Sequence, residues 1–236
     1  MDRFAGLNRH ANQVARYRQV EQLQQLRDAD AAVPPAMAKF RQSEHEMLKS
    51  GMCAGVSLEW MREKLTGSNS IFRRGPKNFV RTPAPGKLAK VSFNAAIQQY
   101  DHLNNQVSLK NLFQKNRMEL TEMDGYNNKN KGPDNMPYTD LELTFTRLCR
   151  ELRRGDGVVM RTTVDDTTGE KQPGGHATCL YKSHGGKTYF FDPNAGAYEV
   201  KNAAAFIKAW VDIYPGQGRA VSMRRDGDGF YQCTAT

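Results

Sequence analysis

Residues 176–194 read HATCLYKSHGGKTYFFDPN, and this stretch decides the fold. Two β-forming runs, His176–Lys182 and Lys187–Asp192, flank the turn signal HGG at 184–186, which is the pattern of a β-hairpin. A five-residue loop over 182–186 would set His176 directly opposite Asp192 on one face, with Cβ atoms roughly 5 Å apart. A four-residue loop would turn Asp192 to the other face. The pattern therefore permits a histidine–carboxylate pair without requiring it.

Short β-forming runs continue on both sides of this hairpin, whereas the sequence before Gly155 is mostly helix-forming. The other predicted strands are Val158–Val164, Tyr198–Val200, Ala220–Arg224 and Phe230–Thr234. The predicted helices are 36–49, Cys53–Leu65, 91–122, Asp140–Arg153 and, after a capping Asn202, Ala203–Tyr214. A helical first part that packs on a C-terminal antiparallel sheet is a segregated α+β fold.

The first 35 residues differ from the rest of the chain in their pattern of apolar residues. Apolar residues recur at every third position across residues 14–26, and at 3.6 residues per turn such a stripe drifts around a helix instead of forming one buried face. Pro34-Pro35 then interrupts the chain. We therefore predict an N-terminal arm or partner-binding segment over 1–35, outside the core, and one domain over 36–236. This domain is expected to fold without the arm.

The composition indicates a globular domain with a basic surface. The chain has 236 residues, a net charge of +9 and a mean hydropathy of −0.71. No apolar stretch approaches the roughly 20 residues that cross a bilayer, and residues 1–7 lack the apolar segment of a secretory signal. The Lys and Arg residues between positions 73 and 90 are not interleaved with aromatic residues, so we expect no nucleic-acid partner.

The four cysteines, at positions 53, 149, 179 and 233, favour free thiols over disulfides or metal ligation. No two of them stand at C-x-x-C spacing. His176 and Cys179 have the spacing of one half of a zinc site, but no second half is visible, so we predict no metal.

Cys53 has a setting that the other three cysteines lack. It stands at the start of a predicted helix, where the helix dipole favours a thiolate. Gly51 and Gly55 on either side of it would leave space for a substrate backbone. We therefore expect Cys53 to be the one low-pKa thiol, and the others to be small buried hydrophobic residues.

A thiol at a helix start, a histidine at a strand start and an acid at a strand end have the composition of a catalytic triad. In such a site Cys53 attacks, His176 moves protons and Asp192 orients the imidazole. Each residue also has an ordinary explanation: a buried thiol, a sheet-edge histidine, and an Asx turn before Pro193. Asn194 is an alternative orienter, because an amide plays that role in papain-like sites.

Three sequence blocks around these positions carry a family resemblance: GMCAGVSLEW at 51–60, GHA at 175–177 and FFDPN at 190–194. In residues, order and spacing the chain resembles the YopT/AvrPphB family of cysteine proteases, bacterial effectors with a papain-like fold. The resemblance covers roughly residues 45–215. It implies a papain-like cysteine protease domain over 36–236, with Cys53 as nucleophile, His176 as general base and then acid, Asp192 as orienter, and no cofactor.

The resemblance also implies a biological setting. We expect a virulence effector that is secreted by bacteria into the host cell and acts in the host cytosol or at host membranes. Its substrate would be a host protein, such as a membrane-anchored small GTPase or a kinase, and the N-terminal arm would bind a secretion chaperone. The family's oxyanion hole is expected to use a side-chain amide just upstream of the cysteine. Residues 49–52 supply none, and Gln42 is far away in sequence, so the backbone amide of Cys53 would serve, aided by Ser50 or by an amide from elsewhere.

Two other chemistries stay open. The same triad could deamidate glutamine or transfer an acyl group to an amine. A decayed protease would instead be a non-catalytic interaction module, and its Cys53 would then have an ordinary thiol pKa.

Overall fold

The computed structural model describes residues 4–22, 52–67, 95, 98–99, 102, 107–123, 126, 138–166, 174–213, 219–222 and 229–236. The predicted helix over 36–49 lies outside these residues, and so does the second half of the predicted arm.

One antiparallel sheet forms the centre of the described structure. Its strands are β1 (Ala11–Ala15), β2 (Met118–Glu122), β3 (Gly157–Asp166), β4 (Gly174–Lys182), β5 (Thr188–Asp192), β6 (Gly196–Val200), β7 (Arg219–Ser222) and β8 (Gly229–Ala235). Seven of them lie in the order β1-β6-β5-β4-β3-β8-β2, and β7 pairs with the end of β3. Strands β4 and β5, which carry the candidate histidine and acid, therefore lie inside the sheet and not at its edges.

Helices cover both faces of this sheet. Helices α1 (Cys53–Thr66) and α2 (Leu109–Lys115) pack on one face. Helices α3 (Tyr138–Glu151) and α4 (Ala203–Val211) and the 3-10 helix Ala5–Arg9 pack on the other. Because side chains alternate along a strand, successive residues of β4 and β5 enter two separate hydrophobic cores. Within the described ranges, no helix has the length and apolar character that crossing a bilayer requires.

The sequence signals at two helix ends act as predicted. Helix α1 ends at Gly67, which has φ +64° and so adopts the left-handed conformation that glycine tolerates. Helix α4 begins after Asn202, whose side chain accepts a hydrogen bond from the backbone N–H of Ala205 at 3.1 Å. The predicted α+β class, with helices packed on an antiparallel sheet, is confirmed.

Strand β2 occupies the end of the helix that was predicted over 91–122, so that part of the prediction is wrong. Arg117, with φ +58°, turns the chain out of helix α2. Met118 and Leu120 are buried, whereas Glu119 between them is exposed. The buried residues therefore follow the two-residue period of a strand, and pairing with β8 fixes that choice.

The N-terminal segment belongs to the core. Strand β1 pairs with β6, starting with Ala11 opposite Val200. The buried apolar side chains of the segment are Phe4, Leu7, Ala11, Ala15 and Tyr17. The expectation that residues 1–35 lie outside the core is therefore wrong for residues 4–22, because pairing with β6 overrides their helix-permissive composition. The domain boundary at residue 35 stays a prediction.

Candidate active site

Helix α1 begins at Cys53, and glutamine side chains from elsewhere in the chain hold the amides on either side of it. The backbone N–H of Met52 donates to Oε1 of Gln19 at 2.8 Å, and that of Ala54 donates to Oε1 of Gln99 at 2.8 Å. Among the hydrogen bonds of the described residues, none uses the backbone N–H of Cys53. The thiol therefore lies at the positive end of the helix, beside an N–H that a substrate can use.

Gly55 allows α1 to approach a neighbouring segment closely. A Cβ at this position would lie 2.0 Å from the carbonyl oxygen of Ala95, which no side chain tolerates. The interpretation of Gly55 as space for a substrate backbone is wrong, because protein backbone occupies that space. Gly51 lies outside the described residues.

Contacts along α1 fix the position of Cys53 against β4 and β5. Oγ of Ser57 donates to the carbonyl oxygen of Ala177 at 2.9 Å, directly beside the candidate histidine. The Trp60 ring stacks on the ring of Phe191, with centroids 5.1 Å apart and planes at 8°. Phe191 immediately precedes the candidate acid in β5. Helix α1, which carries Cys53, is therefore fixed next to both the candidate histidine and the candidate acid.

His176 and Asp192 form a buried pair. Nε2 of His176 lies 3.0 Å from Oδ1 of Asp192. The two residues are only 6% and 0% exposed, so little solvent screens this contact. Of the two arrangements that the sequence allows, the one with the histidine and the acid on one face is observed.

The strand register differs from the predicted one by two residues. Phe191 pairs with Cys179, so Asp192 lies across from Thr178 and reaches His176 along the diagonal. The reason is the loop, which occupies 183–187 and not 182–186. A shift of two residues preserves the face of every side chain, and this is why the pair forms in spite of the error.

Two further groups bind the Asp192 carboxylate. Nε1 of Trp210 donates to Oδ2 at 2.7 Å, and the backbone N–H of Asn194 donates to Oδ1 at 2.7 Å. The Trp210 ring also lies nearly parallel to the His176 ring, with centroids 6.4 Å apart. The acid thus orients the imidazole, whereas Asn194, the alternative orienter, contacts the acid through its backbone.

The thiol completes the hydrogen-bonded chain. The Cys53 side chain is hydrogen-bonded to His176, and since Nε2 of His176 faces Asp192, the other ring nitrogen is the one that faces the thiol. Sγ of Cys53 also lies 3.8 Å from the carbonyl oxygen of Gly175. The structure therefore brings together all three residues that the sequence singled out.

Mutual charge stabilisation dominates the electrostatics of the three groups. Burial alone would raise the pKa of the Cys53 thiol, but its hydrogen bond to His176 and the positive charge there lower that pKa below its usual value. Burial alone would lower the pKa of His176, but the charge and hydrogen bond of Asp192, aided by Cys53, raise it. The pKa of Asp192 is lowered against its burial by the charge of His176. All three shifts favour the ionised forms, namely a thiolate, an imidazolium and a carboxylate in a row.

The other three thiols behave in the opposite way. All four cysteines are free. Burial raises the pKa of Cys149 to about 12 and also raises the pKa values of Cys179 and Cys233. The expectation of a single low-pKa thiol at Cys53 agrees with these directions.

Gln19 is a site residue that the sequence did not reveal, as are Trp210 and Gln99. It is 6% exposed, and besides accepting from Met52 its Nε2 donates to Oδ1 of Asn194 at 2.5 Å. Its backbone N–H donates to the carbonyl oxygen of Pro193 at 2.9 Å. Gln19 thus bridges the residue before the thiol and the turn after the acid. Its position in a Gln-rich stretch, 33 residues from Met52, gives no local signal of this role.

Within the part of the chain that the structure describes, no cluster of three or more His, Cys, Asp or Glu side chains could hold a metal ion. The groups around Cys53 are instead a nucleophile, a proton carrier, an orienting acid and amide donors. That set is suited to attack on a carbonyl carbon.

Comparison with known proteins gives a distant structural likeness. The chain is similar to the Pseudomonas avirulence protein AvrPphB, with 15% sequence identity, coverage of 77% of this chain and 89% of that chain, and a TM-score of 0.41. No protein-family model matches the chain, and no curated protein matches it. A likeness at this level says nothing about catalysis, so the chemistry of the site has to be judged from its side chains.

Proposed function

We propose that the protein is a thiol hydrolase, and specifically a cysteine-type peptidase, with Cys53 as nucleophile, His176 as general base and acid, and Asp192 as orienter. One observation carries this proposal: a buried hydrogen-bonded row of thiol, imidazole and carboxylate in which the thiol pKa is lowered. A structural ion pair would not need a thiol at a helix N-terminus beside a backbone N–H that has no acceptor among the described residues.

The reaction follows from the order of the three groups. The Cys53 thiolate attacks the carbonyl carbon of a peptide bond, and the carbonyl electrons move to its oxygen. As the C–N bond breaks, the His176 imidazolium gives its proton to the departing nitrogen and a thioester remains. Neutral His176 then takes a proton from water, whose oxygen attacks the thioester. The C–S bond then breaks and restores the thiolate beside the His176 imidazolium, and the carboxylic acid that is released loses its proton to solvent.

The negative oxygen of the tetrahedral intermediate needs hydrogen-bond donors. The backbone N–H of Cys53 has no acceptor among the described residues. We assign the second donor to Nε2 of Gln19, because its Oε1 is bound to the backbone N–H of Met52, next to the thiol. A side-chain amide and a backbone amide together are a common form of oxyanion hole.

The biological setting is part of the same proposal. The sequence blocks around Cys53, His176 and Asp192 support an effector that bacteria deliver into host cells, where it would cleave a host protein such as a small GTPase or a kinase. The N-terminal segment would have to release from the sheet to bind a secretion chaperone, since residues 4–22 are packed in the folded protein.

Selective alkylation and mass spectrometry test the proposal in order. At pH 6, iodoacetamide should label Cys53 far faster than the other three thiols, because only a thiolate is an effective nucleophile. The protein is then incubated with a mixed peptide library, with Cys53→Ala as the matched control. Peptidase activity splits peptides, deamidation leaves them intact with a slightly higher mass, and acyl transfer joins them to an added amine. Equal labelling of all four thiols would refute the activated nucleophile.

A further inference from the structure

The Gln19 side chain has a fixed orientation, and its neighbours reveal why. The backbone N–H of Met52 can only donate, so the Gln19 atom that faces it at 2.8 Å has to be the oxygen Oε1. Nε2 therefore faces Asn194, and because Nε2 only donates, the Asn194 atom opposite it at 2.5 Å has to be the acceptor Oδ1. A flip of either amide would place two donors or two acceptors against each other.

Asn194 makes two contacts through different parts of the residue. Its side-chain oxygen accepts from Gln19, and its backbone N–H donates to the carboxylate of Asp192 at 2.7 Å. Asn194→Ala removes the first contact and keeps the second, since alanine retains the backbone N–H. Asn194 thus connects the two halves of the site. One half is the His176–Asp192 pair and the other is Gln19, and a substitution can remove the contact to one without removing the contact to the other.

We propose that Asn194 is a positioning residue that holds Nε2 of Gln19 in the oxyanion hole. This inference rests on the proposed function and on the oxyanion role of Gln19. Nε2 carries two hydrogens; Asn194 accepts one of them and thereby fixes the amide plane, which leaves the other for the developing oxyanion. Asn194 itself does not touch the substrate, so its effect on the reaction passes entirely through Gln19.

Two small electrophiles separate this role from a structural one without knowledge of the natural substrate. Acylation of Cys53 by p-nitrophenyl acetate passes through a tetrahedral oxyanion, whereas alkylation by iodoacetamide does not. The ratio of the acylation rate to the alkylation rate at one pH therefore reports on the oxyanion hole, while changes in thiol ionisation or access affect both rates. The ratio is measured for the full-length protein, for Gln19→Ala, for Asn194→Ala and for the double variant.

The expected result is a non-additive cycle. Gln19→Ala should lower the ratio roughly 100-fold, as loss of an oxyanion-hole donor does elsewhere. Asn194→Ala should lower it roughly three- to tenfold, as loss of one neutral hydrogen bond would. The double variant should match Gln19→Ala alone, because an effect that passes through Gln19 vanishes with it. The pH profile of alkylation should stay unchanged in Asn194→Ala, since the backbone contact to Asp192 remains.

Two further variants keep the test decisive. Asn194→Asp retains an acceptor and should recover most of the ratio. Asn202→Ala removes an amide of the same size, whose side-chain oxygen accepts from the backbone N–H of Ala205 and not from Gln19, and it should leave the ratio unchanged. An unchanged ratio in Asn194→Ala, or factors that multiply in the double variant, would overturn the positioning role alone. Failure of the native protein to be acylated at Cys53 would overturn the proposed function, and this inference with it.

Discussion

Removal of the Cys53 thiol should expose a pH dependence of stability that the thiol normally cancels. In the unfolded chain the thiol has a pKa near 9.0 and the imidazole one near 6.5. Between these values the unfolded pair binds one proton, on sulfur. We expect the folded pair to bind one proton as well, but on His176, because the pKa of His176 is raised to about 10 and that of Cys53 is lowered. Folding moves a proton between the two residues without taking one up, so this pair adds no slope to stability between pH 6.5 and 9.

In Cys53→Ala the compensation is lost. Asp192 still raises the pKa of His176, so the folded state binds one proton where the unfolded state binds none. The free energy of unfolding should then fall as pH rises above 6.5, by up to about 1.4 kcal/mol per pH unit, until His176 loses its proton in the folded state. Other titrating groups are common to both proteins and cancel in the difference between the two slopes.

Urea denaturation at several values between pH 6.5 and 9 measures this difference. Cys149→Ala is the matched control: below about pH 8 its thiol, whose pKa lies near 9.0 in the unfolded chain and is raised to about 12 in the folded protein, is protonated in both states, so its removal should change stability there without changing the slope. Parallel slopes for the native protein and Cys53→Ala would mean that the folded pair is a neutral thiol and a neutral imidazole, and they would refute the ionised site.

Three other perturbations have defined outcomes. Trp210→Phe should lower the free energy of unfolding by roughly 1.5–3 kcal/mol, because it removes a donor to a buried carboxylate. The control is Trp60→Phe, because the indole N–H of Trp60 has no partner among the described residues. It should lower the free energy of unfolding by less in the same denaturation series. Gly196→Ala should lower the melting temperature strongly, because φ is +106° and a Cβ would lie 2.1 Å from a carbonyl oxygen of β1; Gly174→Ala, with open space around it, should not. Deletion of residues 1–22 should abolish a cooperative melt, because it removes apolar burial worth on the order of 10 kcal/mol, comparable to the whole stability of a domain. A truncated protein that melts cooperatively and keeps a reactive thiol would contradict this.

The sequence predicted the hairpin that carries His176 and Asp192 because its signals are local. The alternation of side chains along the two strands and the Gly-Gly turn specify which face each side chain takes. A register error of two residues leaves every side chain on the same face. Gln19, to which we assign the oxyanion donor, could not be predicted in the same way. Gln19 reaches the site because strand β1 pairs with β6, and such pairing over a long sequence distance leaves no periodic mark in the segment itself.

The same limit explains the errors in secondary structure. The composition of residues 11–15 and 118–122 does not by itself predict strands. These residues form strands because they pair with other strands of the sheet: β1 pairs with β6, and β2 pairs with β8. Helix α1, by contrast, has its own amphipathic spacing and its own Gly67 stop, and it was predicted to within one residue.

The pairing of β1 with β6 also sets the time at which the site can form. Gln13 and Gln19 bind residues of the β5–β6 turn that lie 182 and 175 positions later in the chain. During synthesis the first residues leave the ribosome long before that turn exists, and closure of so long a loop is slow. A nascent or unfolded chain therefore carries Cys53 as an ordinary, unactivated thiol. The lowering of the Cys53 pKa therefore arises only when the two distant parts of the polypeptide meet.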